Sequence, residues 1–377
     1  MFRAWFLIAG LMMTSAAWAQ RPPAVVPDDP DSVIARLPRG YAQLMPAALS
    51  AVPVKTPVAS TAQARVLLTT AARTGDARLA TRADALLARM PESLDDPGVL
   101  LMRAFSAQHR HDFEGAVAWL DRLIARSPRN AAARLSRAQI HVVLGRLELA
   151  RGDCAALVLG IDAGDGLLCV GLLSLRNGQY PAAAAALDHW LQGDSGVDER
   201  RYALVMRAEV AARAGDGDAD LWFQRALALA PDDVRTLASY ARYLRSVGRD
   251  RDVLRLLAVQ TEHDGLRLQR TLAAYRLDPQ TAAPLVQAQA RRFVAARTAG
   301  SPLELRDEAE FMLSTRTDPD AALILAQRNF LGQRDFEDVE LLRRAAVVAG
   351  RDDVLQQLQR WVTSRHLPWP STPGVAH

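Results

Sequence analysis

The sequence predicts an all-α chain built as a solenoid of stacked helical hairpins, about nine of them, and three observations carry that prediction. Turn signals recur at a near-constant interval: Gly75, His111, Gly145, Gly178, Gly215 and Gly248 are separated by 36, 34, 33, 37 and 33 residues. Between them the apolar residues repeat at helical spacing, as in Phe113, Ala116, Val117, Leu120, Leu123 and Ile124, which form one stripe opposite Glu114, Asp121, Arg122 and Arg126. No stretch alternates polar and apolar residues in the way a half-buried strand requires.

The first 19 residues carry one early cation, Arg3, then an uncharged run from Ala4 to Ala16. They end in Ala17-Trp18-Ala19 before Gln20. This is the pattern of a cleavable secretory signal peptide, with small residues two apart at the cleavage point and an apolar core shorter than the roughly 18 residues of a membrane span. The mature chain is therefore expected in the periplasm or secreted, with no membrane span after cleavage. Residues 20–60 hold eight prolines, each of which removes a backbone donor and biases its predecessor away from the helix. They read as a mostly extended arm, with a short helix around Asp31 to Leu37, either packed along the first repeat or forming a plain flexible linker.

From Thr61 to Leu257 the hairpins follow one another regularly. A small or apolar residue follows each turn on the second helix: Ala80, Ala116, Ala150, Ala183, Ala219 and Val253. A small residue precedes it on the first, most clearly Ala104, Ala138, Gly171, Ala208 and Ala241. Pro128 and Pro231 close two of the hairpins. Over residues 258–366 the pattern is fainter, but Asp278-Pro279, Ser301-Pro302 and Asp318-Pro319 each place a capping side chain before a proline at the first helical position. Gly350 separates a last helix pair, and residues 367–377, with Pro368 and Pro370 around Trp369, read as a flexible tail.

Ala104, Phe113, Ala116, Leu120 and Pro128, at this period, resemble the tetratricopeptide repeat family, and the chain looks like an exported, bacterial-type member. The resemblance implies a right-handed superhelix whose first helices line a concave groove, and a non-catalytic scaffold or adaptor that binds a protein partner there. Carried over position by position, it puts Leu101, Phe105, Gln108 and His109, then Leu135, Gln139, Val142 and Val143, on an apolar half of the groove. Tyr202, Glu209 and Arg213, then Arg235, Arg242 and Arg245, fall on a basic half. Family members that clamp a C-terminal carboxylate use lysine and asparagine where this chain has Leu101 and Phe105, or Leu135 and Gln139, so that clamp is not expected. The arginine row predicts instead an acidic segment of a partner, met by forked guanidinium contacts; the bland alternative is a solvated helix face.

The two cysteines, Cys154 and Cys169, lie on either side of a turn between Asp162 and Gly166, at comparable distance from its centre. Their sulfurs meet if both face the helix seam and remain two separate buried thiols if they do not. Of 46 basic residues only Lys55 is a lysine, and it sits in the proline-rich arm, which argues against Schiff-base chemistry. The charge of +4, or +3 without Arg3, is mild for 377 residues and mixed in sign, so nucleic acid is not an expected partner. Asp216, Asp218 and Asp220 resemble the start of a calcium loop, but the sixth position is Leu221 and the twelfth Leu227. His109 and His111 lack a third ligand nearby. No nucleophile elbow, phosphate loop or dinucleotide glycine pattern occurs, so neither an enzyme nor a cofactor is expected. The second reading of function is an accessory module of an envelope polysaccharide synthesis or export apparatus, which requires aromatic platforms for sugar rings.

Overall fold

The computed structural model describes residues 57–259, 263–298 and 305–369. Among them eighteen α-helices run in chain order and pair as nine hairpins. The first six pairs are α1 (Pro57–Thr74) with α2 (Ala77–Leu87), α3 (Pro97–His109) with α4 (Phe113–Arg126), α5 (Ala131–Val143) with α6 (Leu147–Ala156), α7 (Ala163–Arg176) with α8 (Tyr180–Leu191), α9 (Val197–Ala214) with α10 (Ala219–Leu229), and α11 (Val234–Ser246) with α12 (Asp250–Leu256). Three more follow: α13 (Asp264–Leu277) with α14 (Pro279–Thr298), α15 (Leu305–Thr315) with α16 (Pro319–Gly332), and α17 (Phe336–Val348) with α18 (Asp352–Thr363). No strand occurs among the described residues.

The turns explain the period. Gly75, Gly145, Gly178, Gly215, Gly248 and Gly350 all take φ between 65° and 77°, a left-handed conformation that stops the first helix and reverses the chain. His111 occupies the same place in the second hairpin at φ 60°, and Arg316 takes φ 54° in the eighth, both without glycine. Helix starts are fixed by Asp76, Asp96, Asp112, Asn130, Asp162, Asp233 and Asp318, each accepting from a backbone N–H in the first turn of its helix. Such a cap contributes about 1 kcal/mol. The small residues let the paired helices approach: Ala104, Ala138, Ala208 and Ala241 have no exposed surface, and a Cβ on Gly171 would stand 2.9 Å from Leu187 Cγ.

Four local details differ from expectation. The first helix begins at Pro57, inside the stretch read as an arm, because proline at a helix start forfeits only an N–H that has no partner there. The turn expected from Asp162 to Gly166 is shorter: Asp162 accepts from Asp165 N–H and starts α7 at Ala163, which puts Gly164 and Gly166 inside the helix. Before it, α6 runs on into a single π turn, Leu157–Ile161, where Gly160 has φ 139°. Leu367, expected in the tail, is buried in the main core, and Pro368 lies against Gly178. The signal peptide, the short helix around Asp31 and the helix start at Ser301-Pro302 lie outside the described residues.

Odd-numbered helices stack on one another as an inner layer, and even-numbered helices pack outside them. The layer then closes on itself. Helix α11 reaches α1, Arg73 pairs with Asp232 at 2.7 Å, and the His263 ring sits against Gly75. Farther along, hairpins eight and nine pack onto hairpins three to five: one apolar cluster joins Leu135, Leu173 and Met206 to Leu313, Leu342 and Leu367. Cys154 on α6 and Cys169 on α7 are bonded within this cluster, Cα atoms 5.3 Å apart, tying hairpin three to hairpin four. Closing a loop of about 15 residues stabilises the fold by about 3 kcal/mol in the chain-entropy model.

Candidate functional site

The row expected to line a groove lies on the inner layer, and most of it is covered. Leu101 is half-buried between two apolar clusters, while Phe105, Gln108, Leu135, Val142 and Val143 are buried. Gln139 donates to the Tyr202 hydroxyl at 3.3 Å across two hairpins, both side chains buried. These residues form an inner wall rather than an open surface: Leu101 and Phe105 pack among hairpins one to three, while Leu135 and Val142 belong to the cluster shared with hairpins eight and nine.

The basic half is half-buried and engaged. Arg245 donates to Gln269 Oε1 at 2.8 Å and to Glu310 Oε1 at 3.3 Å. Burial opposes ionisation of Glu310, but Arg344 and Arg245 outweigh it and hold the carboxyl down at about 2. Arg242 donates to Ser239 Oγ at 3.0 Å, and Ser239 Oγ lies 3.5 Å from Glu209. Burial pushes Glu209 up to about 7 against the pull of Arg213. Arg235 stands near Asp233 and Tyr202, its pKa lowered by burial; with burial it also lowers His109, to about 4. In the acidic loop Asp216–Asp220, Asp220 accepts from Tyr240 at 2.5 Å and also from Arg249, while Asp216 and Asp218 are exposed.

Sequence reasoning missed the centre of the site. The C-terminal ends of α3, α5, α7 and α9 converge, presenting His111, the carbonyls of Val143 and Leu144, Arg176 and Arg213 to the loop between α16 and α17. The loop's backbone is gripped from both sides: Arg334 N–H donates to Val143 O at 2.7 Å, and Arg176 donates to Arg334 O. An α-helix leaves its last carbonyls without partners, so the end of α5 is a natural acceptor for an outside N–H. Side chains add the rest. Gln333 Nε2 lies 2.5 Å from His111 Nδ1, the Arg213 guanidinium sits 4.2 Å above the Phe336 ring, and Arg213 also donates to Glu337 Oε1 at 2.6 Å. From behind, Arg306 holds Asp335 at 2.7 Å and Asp338 at 2.6 Å, and Asn329 donates to Asp338 at 2.6 Å. The signal available in the sequence was Asp335-Phe336-Glu337-Asp338, an acidic and aromatic run in a chain whose inner helices are rich in arginine.

Beside Phe336 a cavity of about 90 Å³ is lined by Gln139, Val142, Arg176, Glu209, Arg213 and Arg242, among others. A second, open groove of about 480 Å³ lies on the outside, between α8, α9 and α10, lined by Leu191, Leu204, Trp222 and Leu229. There Trp222 is flanked by Arg207 and Arg225, each 4.8 Å from its ring centroid. Among the described residues no group of three metal-ligating side chains comes together, and no helix is long and apolar enough to cross a membrane.

No family model and no curated protein matches the chain. Among solved structures it is similar to a chain of the APC/C hetero-tetramer Cut9-Hcn1, at TM-score 0.50 and 13% identity, over 82% of this chain and 61% of that one. This protein thus spans less than two thirds of that chain's length. It is also similar to a tetratricopeptide repeat protein from Parabacteroides merdae ATCC 43184, with 16% identity over 76% of this chain and 98% of that one, at TM-score 0.39. At such identities likeness speaks for the fold alone, and the fold is that of a tetratricopeptide-type solenoid of helical hairpins.

Proposed function

We propose that this protein is a non-catalytic scaffold of the bacterial cell envelope, exported to the periplasm, that holds a segment of a partner protein against its inner wall. The observation that supports this reading is the turn row. Four successive inner helices direct their C-terminal ends at one place, two of them with an arginine, and that place holds a stretch of polypeptide by its backbone as well as its side chains. A preformed wall of this kind loses little ordering free energy on binding. The outer groove supports the second reading, an accessory module of a polysaccharide apparatus, because it is an open trough with Trp222, Leu191, Leu204 and Leu229 along its lining.

The test is capture from the envelope fraction of the source cells with a photo-cross-linking residue at Arg242 on the inner wall or at Arg225 on the outside. A protein adduct from position 242 is the expected result. Adducts from position 225 alone would move the binding surface outward and keep the scaffold. Retention on envelope polysaccharide, abolished by Trp222→Ala, would favour the second reading, and neither adduct nor retention would sink both.

A further inference from the structure

The loop between α16 and α17 has the form of a bound peptide. Gln333 is extended, at φ −136° and ψ 132°, and Asp335 stays in the extended region before α17 begins. Between them Arg334 offers one N–H and one C=O, and both are taken by other hairpins, 191 and 158 residues away in sequence for Val143 and Arg176 respectively. Phe336 lies under Arg213 and Glu337 pairs with it. An acid, an aromatic ring and a second acid in succession thus meet an arginine row that continues to Arg242.

Resting on the scaffold reading above, we infer that the inner wall at Val143, Arg176 and Arg213 fits a partner segment of acid–aromatic–acid sequence, and that the chain's own Asp335-Phe336-Glu337 is its resident occupant. Three facts support this. Recognition is by backbone at Arg334, in the extended stretch, and by the side chains of Phe336 and Glu337 in the first turn of α17, which suits a segment that runs extended into a helix start. The charges favour an acidic segment: Arg213 pairs with Glu337 and Arg176 stands by Asp335, which Arg306 holds from behind, with the Glu209 carboxyl farther along the wall. The cavity beside Phe336, lined by the resident Asp335, Phe336 and Glu337, continues the wall as far as Arg242, so a segment seated there meets the whole arginine row. A partner competes with the resident loop, and its apparent affinity falls by the fraction of molecules in which the wall is uncovered.

The probe is a fluorescent peptide of residues 332–339, Gly-Gln-Arg-Asp-Phe-Glu-Asp-Val, titrated into the full chain and followed by anisotropy. In the chain carrying Phe336→Ala and Glu337→Gln the resident contacts are weakened, and the peptide should bind about tenfold more tightly than to wild type, the scale of a modest population shift. Adding Arg213→Gln should abolish that binding. A scrambled peptide of the same composition should not bind. Helicity and the urea midpoint establish that each variant is folded. If the double variant is not folded, hydrogen exchange on wild type decides: saturating peptide should speed exchange of the Arg334 amide and leave the α5 amides unchanged. Absence of binding by the folded variant, equal binding of the scrambled peptide, or binding that survives Arg213→Gln would overturn the proposal without touching the scaffold reading. A stable wild-type dimer with the loop of one copy in the wall of another would assign the place to a second copy and overturn it too.

Discussion

Hairpins one to six and hairpins seven to nine share one packing rule but are held in position by different contacts. In the first group the polar contacts are mostly between neighbours. Arg137 joins Asp121 and Asp153, each 16 residues away, and Phe223, Tyr240 and Tyr243 stack within adjacent hairpins. In the second group the contacts reach far back: 65 residues from Glu310 to Arg245, 124 from Glu337 to Arg213 and 222 from Gln333 to His111. Repetition of a local rule builds a spiral. What closes this spiral is one apolar cluster shared by hairpins three to five with eight and nine, together with a small number of polar and aromatic contacts, between parts of the chain that no local rule relates.

Acid should separate the two kinds of contact most strongly. Burial lowers His109, His111 and His263 from 6.5 to about 4, and all three lie where distant hairpins meet: His109 by Arg235, His111 by Arg306 and Gln333, His263 against Gly75 with Asp264 and Arg267 beside it. A histidine with a depressed folded pKa contributes stability that is complete above about 6.5 and is lost as the pH falls toward 4. Glu209 has the opposite sign: raised by burial to about 7, it favours the fold below its ordinary range and loses that contribution as the pH rises through 7. The urea midpoint should therefore fall on acidification from pH 6.5 to pH 4. Hydrogen exchange should rise first at the Arg334 amide, before the amides of α5 and α6; a uniform rise would refute the division between closure and ladder.

Charge removal should come next in size. Arg306→Met leaves Asp335 and Asp338 buried without their cation, a loss of about 3–5 kcal/mol for a broken buried pair. In the regular half, Arg249→Met removes an exposed cation from Asp220 and Asp252, and should cost about 1 kcal/mol or less. Paired urea titrations measure the difference. Equal costs would mean that closure adds nothing to stability beyond the ladder.

The same division sets what the sequence could reveal. The ladder was legible because its causes are local and periodic: a residue able to take positive φ at each turn, a small residue opposite, an apolar stripe between. The resemblance to tetratricopeptide repeats, carried position by position onto that ladder, then placed Leu101, Phe105, Leu135, Gln139, Tyr202, Arg242 and Arg245 on the inner helices. Their exposure could not, because it depends on how tightly the hairpins curl, which is the sum of many small rotations. The grip of Val143 on Arg334 leaves no periodic trace either, since an N–H donated to a helix end is a backbone contact that any residue but proline could make.

The smallest predicted effect isolates one closure contact from the turn beneath it. Gly145 and Gly215 have nearly the same backbone, φ 70° and 73°, in equivalent turns. A Cβ at Gly215 meets nothing within 4 Å, while one at Gly145 stands 2.8 Å from Trp361 Cζ2 on α18. Gly215→Ala should therefore cost only the left-handed penalty, about 1–2 kcal/mol. Gly145→Ala carries that penalty and an overpacking cost of about 1–3 kcal/mol, reduced if the indole can tilt against its edge-on neighbour Phe330. Combining each substitution with Trp361→Leu completes the cycle. With Trp361→Leu in place the extra cost at Gly145 should shrink while the cost at Gly215 stays the same, because only the first turn touches the last hairpin. If the two costs are equal with Trp361 present, α18 does not press on the third turn in solution, and the inner wall is open there.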